Sequence, residues 1–339
     1  MLNPADSISG HGWAPSFSFD WECLSVASRD PTTEARGTIA TVNIQRKRAI
    51  LEQMSQVNMN VQKYLTRIGF SGPTEPTLEV LGSLHSSHLH SVPFENLTIH
   101  SGGRVHLDLP VLYEKIVNQN RGGFCYEVNG LFSWLLRQLG FQVTVLSSQV
   151  KSRMTGFYGP PFDHMILMVV IDGKRWLCDV GFGVPVFPTP LSLDTGDLQE
   201  KGHRVYRLRS TDGMTFLEWQ QEENRGTDGD WVEIYKFTLE PRCFQDFFQM
   251  CQYHQTSPCS LFFCKSLCML FKSNSKVSYI GRRLTTTKFP DGPVGEVEIT
   301  TRELKDEEVP GILVETFGIV LKSPLIVKDE GITPPEVFY

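Results

Sequence analysis

The sequence predicts an α+β protein of several domains: a helical region, then an antiparallel sheet, then a smaller mixed region. Three observations predict this order. Apolar residues recur at helical spacing between residues 50 and 140, and they alternate with polar residues between 141 and about 239. Residues 240–339 combine short strand patterns with one short helix pattern. Residues 1–49 show neither period, so we expect a loosely ordered N-terminal extension there.

Four helices are predicted between residues 50 and 140. The first follows apolar residues from Ile50 onward and ends near Gly69. The fourth has the most regular apolar face and is followed by Gly140, a typical C-cap residue. The second, third and fourth helices are predicted to begin at Thr77, at Asp108 with Pro110, and at about Cys125.

The clearest strand signal is a hairpin, in which residues 164–171 and 174–180 are joined by Asp172 and Gly173. Further strands with period two complete an antiparallel sheet or barrel, and two strands and a helix are predicted in the last region. The additional strands are residues 141–145, 205–208, 215–219, 231–239, 277–280 and 295–300, and the helix is residues 310–317.

The hairpin places a histidine near an aspartate. If Asp172 and Gly173 form a two-residue turn, Ile171 pairs with Lys174, and Asp179 comes opposite Ile166. His164 then lies on the same face as Asp179, diagonally across the hairpin and about 7–8 Å away at Cα. Cys178 points to the opposite face. A three-residue loop would shift this register.

A histidine held by an aspartate is the orienting half of a nucleophilic triad, and Cys125 is the best candidate for the nucleophile. It follows Gly122 and Gly123, which allow close approach of the backbone, and it begins the fourth helix. The helix dipole is therefore expected to favour the thiolate and to lower the pKa of the thiol.

Composition excludes several classes of function. The 339 residues carry a formal net charge of −6, which provides no basic field for nucleic acid or for an anionic membrane surface. The longest apolar run, residues 165–171, is far shorter than a membrane span. The N-terminus resembles neither a signal peptide nor a transit peptide. The eight cysteines are interpreted as reduced thiols, and a cytoplasmic location is expected.

No metal site is predicted. His85, His88 and His90 lie close together, but no thiolate or carboxylate completes a set of ligands. They are expected on the solvated face of the second predicted helix.

The sequence around the three candidate residues closely resembles the arylamine N-acetyltransferases. The similarity runs from about Met59 to near the C-terminus and is most specific around Cys125. The matching stretches are VPFENL at 92–97, RGGFCYEVNGLF at 121–132, DHM at 163–165, CDVGFG at 178–183, IYKFTLEPR at 234–242 and QTSP at 255–258.

This resemblance implies a helical first domain (50–140), a β-barrel second domain (141–239) and an α/β third domain (240–339) that acts as a lid, with a papain-like Cys-His-Asp triad. It implies acetyl transfer from acetyl-CoA to a cysteine and then to an arylamine, a hydrazine or an N-hydroxyarylamine. Cys125 would be the nucleophile, His164 the base and Asp179 the orienting residue, with ping-pong kinetics.

The resemblance also suggests contacts for the co-substrate. Tyr253 matches a position that contacts coenzyme A, and Cys259 occupies a neighbouring contact position. Residues 157–162 match the rim of the acceptor and coenzyme A site, although here they are unusually rich in aromatic residues and proline.

Two alternative functions remain at this point. The first is a papain-like thiol hydrolase, since Gln119 lies six residues before Cys125, where such enzymes place an oxyanion-hole glutamine. The local cysteine signature of that family is absent, however. The second is an inactive relative that acts as a binding protein.

Overall fold

The computed structural model describes residues 58–153, 155–183, 187–220, 231–290 and 296–335. The predicted extension at 1–49 and the beginning of the first predicted helix lie outside these residues. The α-helices are α1 (Val61–Arg67), α2 (Leu78–Ser91), α3 (Leu97–His100), α4 (Leu109–Tyr113), α5 (Cys125–Gln138), α6 (Phe248–Thr256), α7 (Leu261–Cys264) and α8 (Val309–Phe317).

The helix starts follow the capping chemistry of the sequence. The Thr77 side chain accepts a hydrogen bond from the backbone N–H of Val80 at the start of α2, and Asp108 does the same for Val111 in α4. Helix α5 begins at Cys125, as predicted, and Gly140 follows it with φ = +88°. The third predicted helix differs, because α4 continues as a π-helical turn over Glu114–Asn118.

The first sheet has the strand order β5-β4-β3-β2-β9-β8-β7-β6 and is antiparallel throughout. Ser192 in β5 and the Gln199 side chain in β6 connect the two edge strands through hydrogen bonds of 2.7 and 2.9 Å, so the sheet is nearly closed. Its strands are β2 (Gln142–Val150), β3 (His164–Ile171), β4 (Lys174–Cys178), β5 (Leu191–Ser192), β6 (Gln199–Lys201), β7 (Arg204–Thr211), β8 (Met214–Gln220) and β9 (Trp231–Phe237).

Side chains on the two faces of β3 pack into different hydrophobic cores. Leu167 and Cys178 are cross-strand partners and belong to the core formed with the helices, where α5 packs against β2 and β3. Ile166 belongs to the core inside the barrel-like sheet, together with Leu177. Because side chains alternate along a strand, His164 shares the interior face with Ile166. The predicted opposite orientation of Cys178 is thereby confirmed.

The second sheet contains three strands that the sequence did not predict: residues 94–95, 267–272 and 283–288. Strand β1 (Phe94–Glu95) comes from the predicted helical domain and pairs with Met269 and Cys268 in β10. The sheet has the order β1-β10-β11-β12-β13 and packs with α8 around a separate core. The remaining strands are β10 (Leu267–Lys272), β11 (Ser275–Ile280), β12 (Arg283–Lys288) and β13 (Glu298–Glu303).

The expectation that the histidines of α2 lie on a solvated face is wrong for two of them. His85 and His88 are fully buried, whereas His90 is partly exposed. Helix α2 places their rings against Phe132 of α5, which removes them from water. No helix within the described residues is long and apolar enough to cross a membrane.

Candidate active site

The hairpin brings His164 and Asp179 together as predicted. Ile171 pairs with Lys174 across the two-residue turn, which gives the predicted register. His164 Nε2 lies 2.7 Å from Asp179 Oδ2, and both side chains are buried. Asp179 directly follows the last residue of β4, so the end of the sheet positions the pair.

Asp179 is held by donors on every side. Its Oδ1 accepts hydrogen bonds from Asn129 Nδ2 at 3.0 Å and from the backbone N–H of Gly181 at 2.9 Å. A carboxylate only accepts hydrogen bonds, so neutral His164 must carry its proton on Nε2. Its Nδ1 is then the ring nitrogen that can take up a proton.

The backbone of Asp179 is fixed by His85. The Nε2 atom of His85 accepts the Asp179 N–H at 3.2 Å, and its Nδ1 donates to the Pro188 carbonyl at 3.1 Å. Burial lowers the pKa of His85 to about 4, although Pro188 and Asp179 oppose this shift. His85 is therefore neutral at neutral pH, with its proton on Nδ1.

This burial predicts an acid-sensitive contribution to stability. The unfolded chain protonates His85 below a pH of about 6.5, whereas the folded chain does so only near pH 4. We expect the contribution of buried, neutral His85 to the free energy of unfolding to be complete above pH 6.5. It should decrease by roughly 3 kcal/mol as the pH falls to 4. Urea unfolding of wild type and His85→Gln at pH 7 and at pH 4.5 measures this loss of unfolding free energy.

The glutamine variant should lose less stability than wild type between these two pH values. His106→Gln provides the control, because His106 is exposed and should leave the pH dependence unchanged. Equal pH dependence in wild type and His85→Gln would contradict the prediction.

Cys125 lies at the beginning of α5 and is buried. A Cβ atom on Gly181 would come within 2.9 Å of the Cys125 Cα, so the segment after Asp179 runs directly against the cysteine backbone. The backbone N–H of Met165, next to His164, interacts with the Cys125 thiol and lowers its pKa. The segments that carry Cys125, His164 and Asp179 therefore lie next to one another.

The expected acidity of the thiol is wrong in direction. Burial raises the pKa of Cys125 well above its ordinary value, and the carboxylates of Asp163 and Asp179 raise it further. The Met165 N–H acts in the opposite direction but is weaker than the loss of solvation. The thiol consequently needs a nearby base to lose its proton.

The loop that leads into Cys125 is fixed by a buried glutamate. Glu95 Oε1 accepts hydrogen bonds from Arg121 Nε at 3.0 Å and from the Gly122 N–H at 3.2 Å. Burial opposes the charge on Glu95, but Lys115, Arg121 and the Leu97 N–H together lower its pKa. The carboxylate therefore stays ionised and holds the backbone in front of the nucleophile.

A second buried glutamate supports the start of α5. Glu127 Oε2 accepts the Phe124 N–H at 3.1 Å, and Lys115 Nζ lies 2.7 Å from Glu127 Oε1. A Cβ on Gly123 would approach the Glu127 side chain to within 2.6 Å. This contact explains why glycine is needed at position 123.

Two further residues belong to this site and were not predicted. Asn129 lies one helical turn after Cys125; besides Asp179 it donates to the Met165 carbonyl at 2.7 Å and accepts the Val180 N–H at 2.9 Å. Its position four residues after Cys125 was the available signal. The Tyr235 ring lies 5.6 Å from the His164 ring; burial raises the pKa of its hydroxyl, and the neighbouring Asp179 carboxylate raises that pKa further.

Tyr253 and Cys259, the predicted coenzyme A contacts, lie next to each other. Tyr253 is in α6 and partly exposed, and Cys259 lies in the loop before α7. Burial raises the pKa of the Tyr253 hydroxyl, Ser257 opposes this, and the Cys259 side chain adds to it. His254, the next residue, links α6 to the segment before His164 through a 3.3 Å contact with the Asp163 carbonyl.

The Gln119 side chain, which the hydrolase alternative would use, is engaged by a neighbouring glutamate. Its side-chain amide donates to Glu114 Oε1 at 3.0 Å, in the π-helical turn. Within the part of the chain that the structure describes, no group of three or more histidine, cysteine or carboxylate side chains is arranged to hold a metal ion.

Comparison with known proteins identifies the family. A sequence model described as N-acetyltransferase matches residues 77–326. The pineal gland isozyme NAT-10 of arylamine N-acetyltransferase from Gallus gallus is 36% identical over 282 residues, which cover 79% of this chain and 97% of that protein. The chain belongs to the arylamine N-acetyltransferase family. This acetyltransferase is also 34% identical to arylamine N-acetyltransferase 1 of Homo sapiens, over 80% of its own length and 97% of the human protein.

Solved structures of the family share the fold. The arylamine N-acetyltransferase of Mycobacterium smegmatis aligns with a TM-score of 0.68 and 33% identity, covering 78% of this chain and 93% of that one. The Mycobacterium marinum enzyme in complex with CoA aligns with a TM-score of 0.67 and 30% identity, covering 77% and 93%. The chain is therefore an acyltransferase with the architecture of these enzymes.

Proposed function

We propose that this acetyltransferase moves an acetyl group from acetyl-CoA to the nitrogen of an arylamine or hydrazine, or to the oxygen of an N-hydroxyarylamine, through an acetyl-Cys125 intermediate. The observation that carries the proposal is the buried His164–Asp179 pair, with a 2.7 Å contact, beside the first turn of the helix that begins with Cys125. Such an arrangement supports nucleophilic catalysis with a histidine base.

In the first half-reaction, His164 Nδ1 takes the proton of the Cys125 thiol. Burial disfavours the free thiolate, so the thiolate forms together with the imidazolium. Asp179 stabilises that imidazolium through Nε2. The Cys125 sulfur then forms a bond to the acetyl carbonyl carbon, the bond to the coenzyme sulfur breaks, and His164 returns its proton to the departing thiolate.

In the second half-reaction, the acceptor amine attacks the carbonyl carbon of acetyl-Cys125. The C–S bond breaks as the C–N bond forms, and His164 takes the proton that the amine loses. That proton restores the Cys125 thiol. Coenzyme A leaves the acetylated enzyme before the acceptor amine binds, which predicts ping-pong kinetics.

Tyr253 and Cys259 are proposed to contact the coenzyme A part of the donor. Both are partly exposed, and α6 connects to the catalytic segment through His254 and Asp163. Residues 157–162 are proposed as the rim of the acceptor site. We further propose that the chain is divided into a helical domain (50–140), a β-barrel domain (141–239) and a lid domain (240–339). We also propose a cytoplasmic location and no nucleic-acid or membrane partner.

The covalent intermediate is tested by intact-protein mass spectrometry after mixing with acetyl-CoA alone. We expect one added acetyl group on wild type and its loss when an arylamine is added. Cys125→Ala should show no adduct. Cys243→Ala is the matched control, because Cys243 is exposed and should leave the adduct intact.

Failure to acetylate the folded, reduced wild type would contradict this function. Retention of the adduct in Cys125→Ala would instead reject Cys125 as the nucleophile while leaving acetyl transfer in place.

A further inference from the structure

A second imidazole–carboxylate pair lies one residue away from the first. His254 Nε2 is 3.5 Å from Asp163 Oδ1 and 3.3 Å from the Asp163 carbonyl oxygen. His254 is buried, and Asp163 immediately precedes His164. The mechanism above uses neither side chain, and a buried ionisable pair is costly unless its members have partners.

The proton of neutral His254 is fixed by Ser260. The Ser260 hydroxyl oxygen accepts the Phe262 N–H at 3.2 Å and lies 3.0 Å from His254 Nδ1. Its own proton is then free to be donated to Nδ1, which leaves the proton of the imidazole on Nε2. That N–H faces Asp163.

Asp163 also ties together the loop that precedes His164. Its Oδ2 accepts the Val150 N–H at 3.2 Å, at the end of β2. A Cβ on Gly159 would lie 2.3 Å from the same oxygen, so the loop packs closely around the carboxylate. Burial raises the pKa of Asp163, while His254 and the Val150 N–H act in the opposite direction. Because both carboxylate oxygens face N–H groups, these contacts favour the ionised form.

The charge of Asp163 acts on the nucleophile. Asp163 raises the pKa of the Cys125 thiol, although burial of the thiol is the larger cause. Burial lowers the pKa of His254, with Asp163 opposing, so at neutral pH His254 is uncharged and does not cancel the carboxylate. Cys125 and His164 therefore work beside two negative charges, those of Asp163 and Asp179.

Two tyrosines beside the pair are uncharged at neutral pH. Tyr126 donates its hydroxyl to the Asp163 carbonyl at 2.9 Å, and burial raises its pKa well above neutrality. Burial also raises the pKa of Tyr253, whose ring packs on His254. Lys151 and Lys236 lie over the Tyr158 ring of the loop, and Arg242 lies over the Phe162 ring. Lys151 and Arg242 also pair with Glu233 and Glu240.

We propose that Asp163 and His254 are positioning residues of the acetyltransferase: His254 anchors the loop before His164 to the helix that carries Tyr253, and that loop holds the Asp163 carboxylate, with its negative charge, beside Cys125 and His164. This inference rests on the proposed catalytic role of Cys125 and His164. It assigns no contact with substrate to either residue.

The charge effect is tested by the rate at which iodoacetamide alkylates Cys125 between pH 5 and pH 10, followed by peptide mass spectrometry. Deprotonation of Cys125 makes the site more negative, so removing the Asp163 charge is expected to lower the pKa of the thiol. In Asp163→Asn we expect the midpoint of alkylation to move to lower pH by about half a unit or more.

Asp172→Asn is the matched control, because Asp172 is exposed and occupies the turn at the far end of the same hairpin. Its midpoint should equal that of wild type. An unchanged midpoint in folded Asp163→Asn would overturn the charge effect. Alkylation does not involve acetyl-CoA, so this result is independent of whether wild type forms the acetyl adduct.

The anchoring role is tested by two variants of His254. His254→Leu removes the donor to Asp163, and we expect KM for acetyl-CoA to rise about tenfold with a smaller change in kcat. Glutamine can donate to Asp163 and accept from Ser260, so His254→Gln should restore most of the loss. A wild-type KM in His254→Leu, or no rescue by glutamine, would contradict the anchoring role of His254. These variants also test the proposal if Asp163→Asn does not fold.

Discussion

Replacement of Asp179 by asparagine is expected to lower kcat/KM for acetyl transfer roughly 1,000- to 10,000-fold while the fold is retained. Asp179 accepts hydrogen bonds from Asn129, Gly181 and His164. An asparagine at this position has one acceptor oxygen, and its NH₂ group would meet a donor. His164 relieves that conflict by moving its proton from Nε2 to Nδ1, and it then has no lone pair on Nδ1 to accept the Cys125 proton.

Two measurements separate this effect from loss of structure. The rate of acetyl-adduct formation should fall with the steady-state rate, whereas the urea midpoint should change little. Asp172→Asn has the same chemical change at the exposed hairpin turn and should keep wild-type activity. Activity within tenfold of wild type in Asp179→Asn would show that the carboxylate does not fix the tautomer of His164.

The largest expected effect on stability comes from Gly122→Ala. A Cβ at position 122 would lie 1.8 Å from the Pro93 carbonyl oxygen and 2.7 Å from its carbon. Both are backbone atoms, and the Pro93 carbonyl also accepts the Gly123 N–H at 3.2 Å. Neither segment can move without breaking the Gly122–Glu95 hydrogen bond, so we expect a loss of about 4 kcal/mol or more.

Urea unfolding measures this loss, or the yield of soluble protein if the variant does not fold. Gly196→Ala is the matched control, because nothing lies within 4 Å of the Cβ that it would add. Its free energy of unfolding should stay within about 0.5 kcal/mol of wild type. A stable Gly122→Ala protein would mean that the loop before Cys125 has an alternative path.

The sequence predicted the helices and strands whose ends are determined by nearby residues. Thr77, the Asp172–Gly173 turn and Gly140 each determine an end of an element through their own chemistry. Strand β1 was missed because two residues show no period, and its partner β10 is an almost continuous apolar run without alternation. The pairing of β1 with β10 joins two segments that lie far apart in the sequence.

The part of the candidate site that depends on the strand register of the hairpin was predictable. The positions of His164 and Asp179 came from the hairpin turn alone. The acidity of Cys125 was not predictable, because it depends on burial by other segments, and burial opposes the helix dipole. The burial of His85 and the pairing of Asp163 with His254 also require knowing which faces pack together.

The pairing of β1 with β10 has a consequence for how the protein is made. Phe94 lies between Gly123, next to the nucleophile loop, and Met269 in the second sheet. On the ribosome, the segment around Cys125 emerges long before residues 267–272 are translated. A nascent chain therefore carries Cys125 without the strand that completes the support of its loop until residues 267–272 have been translated.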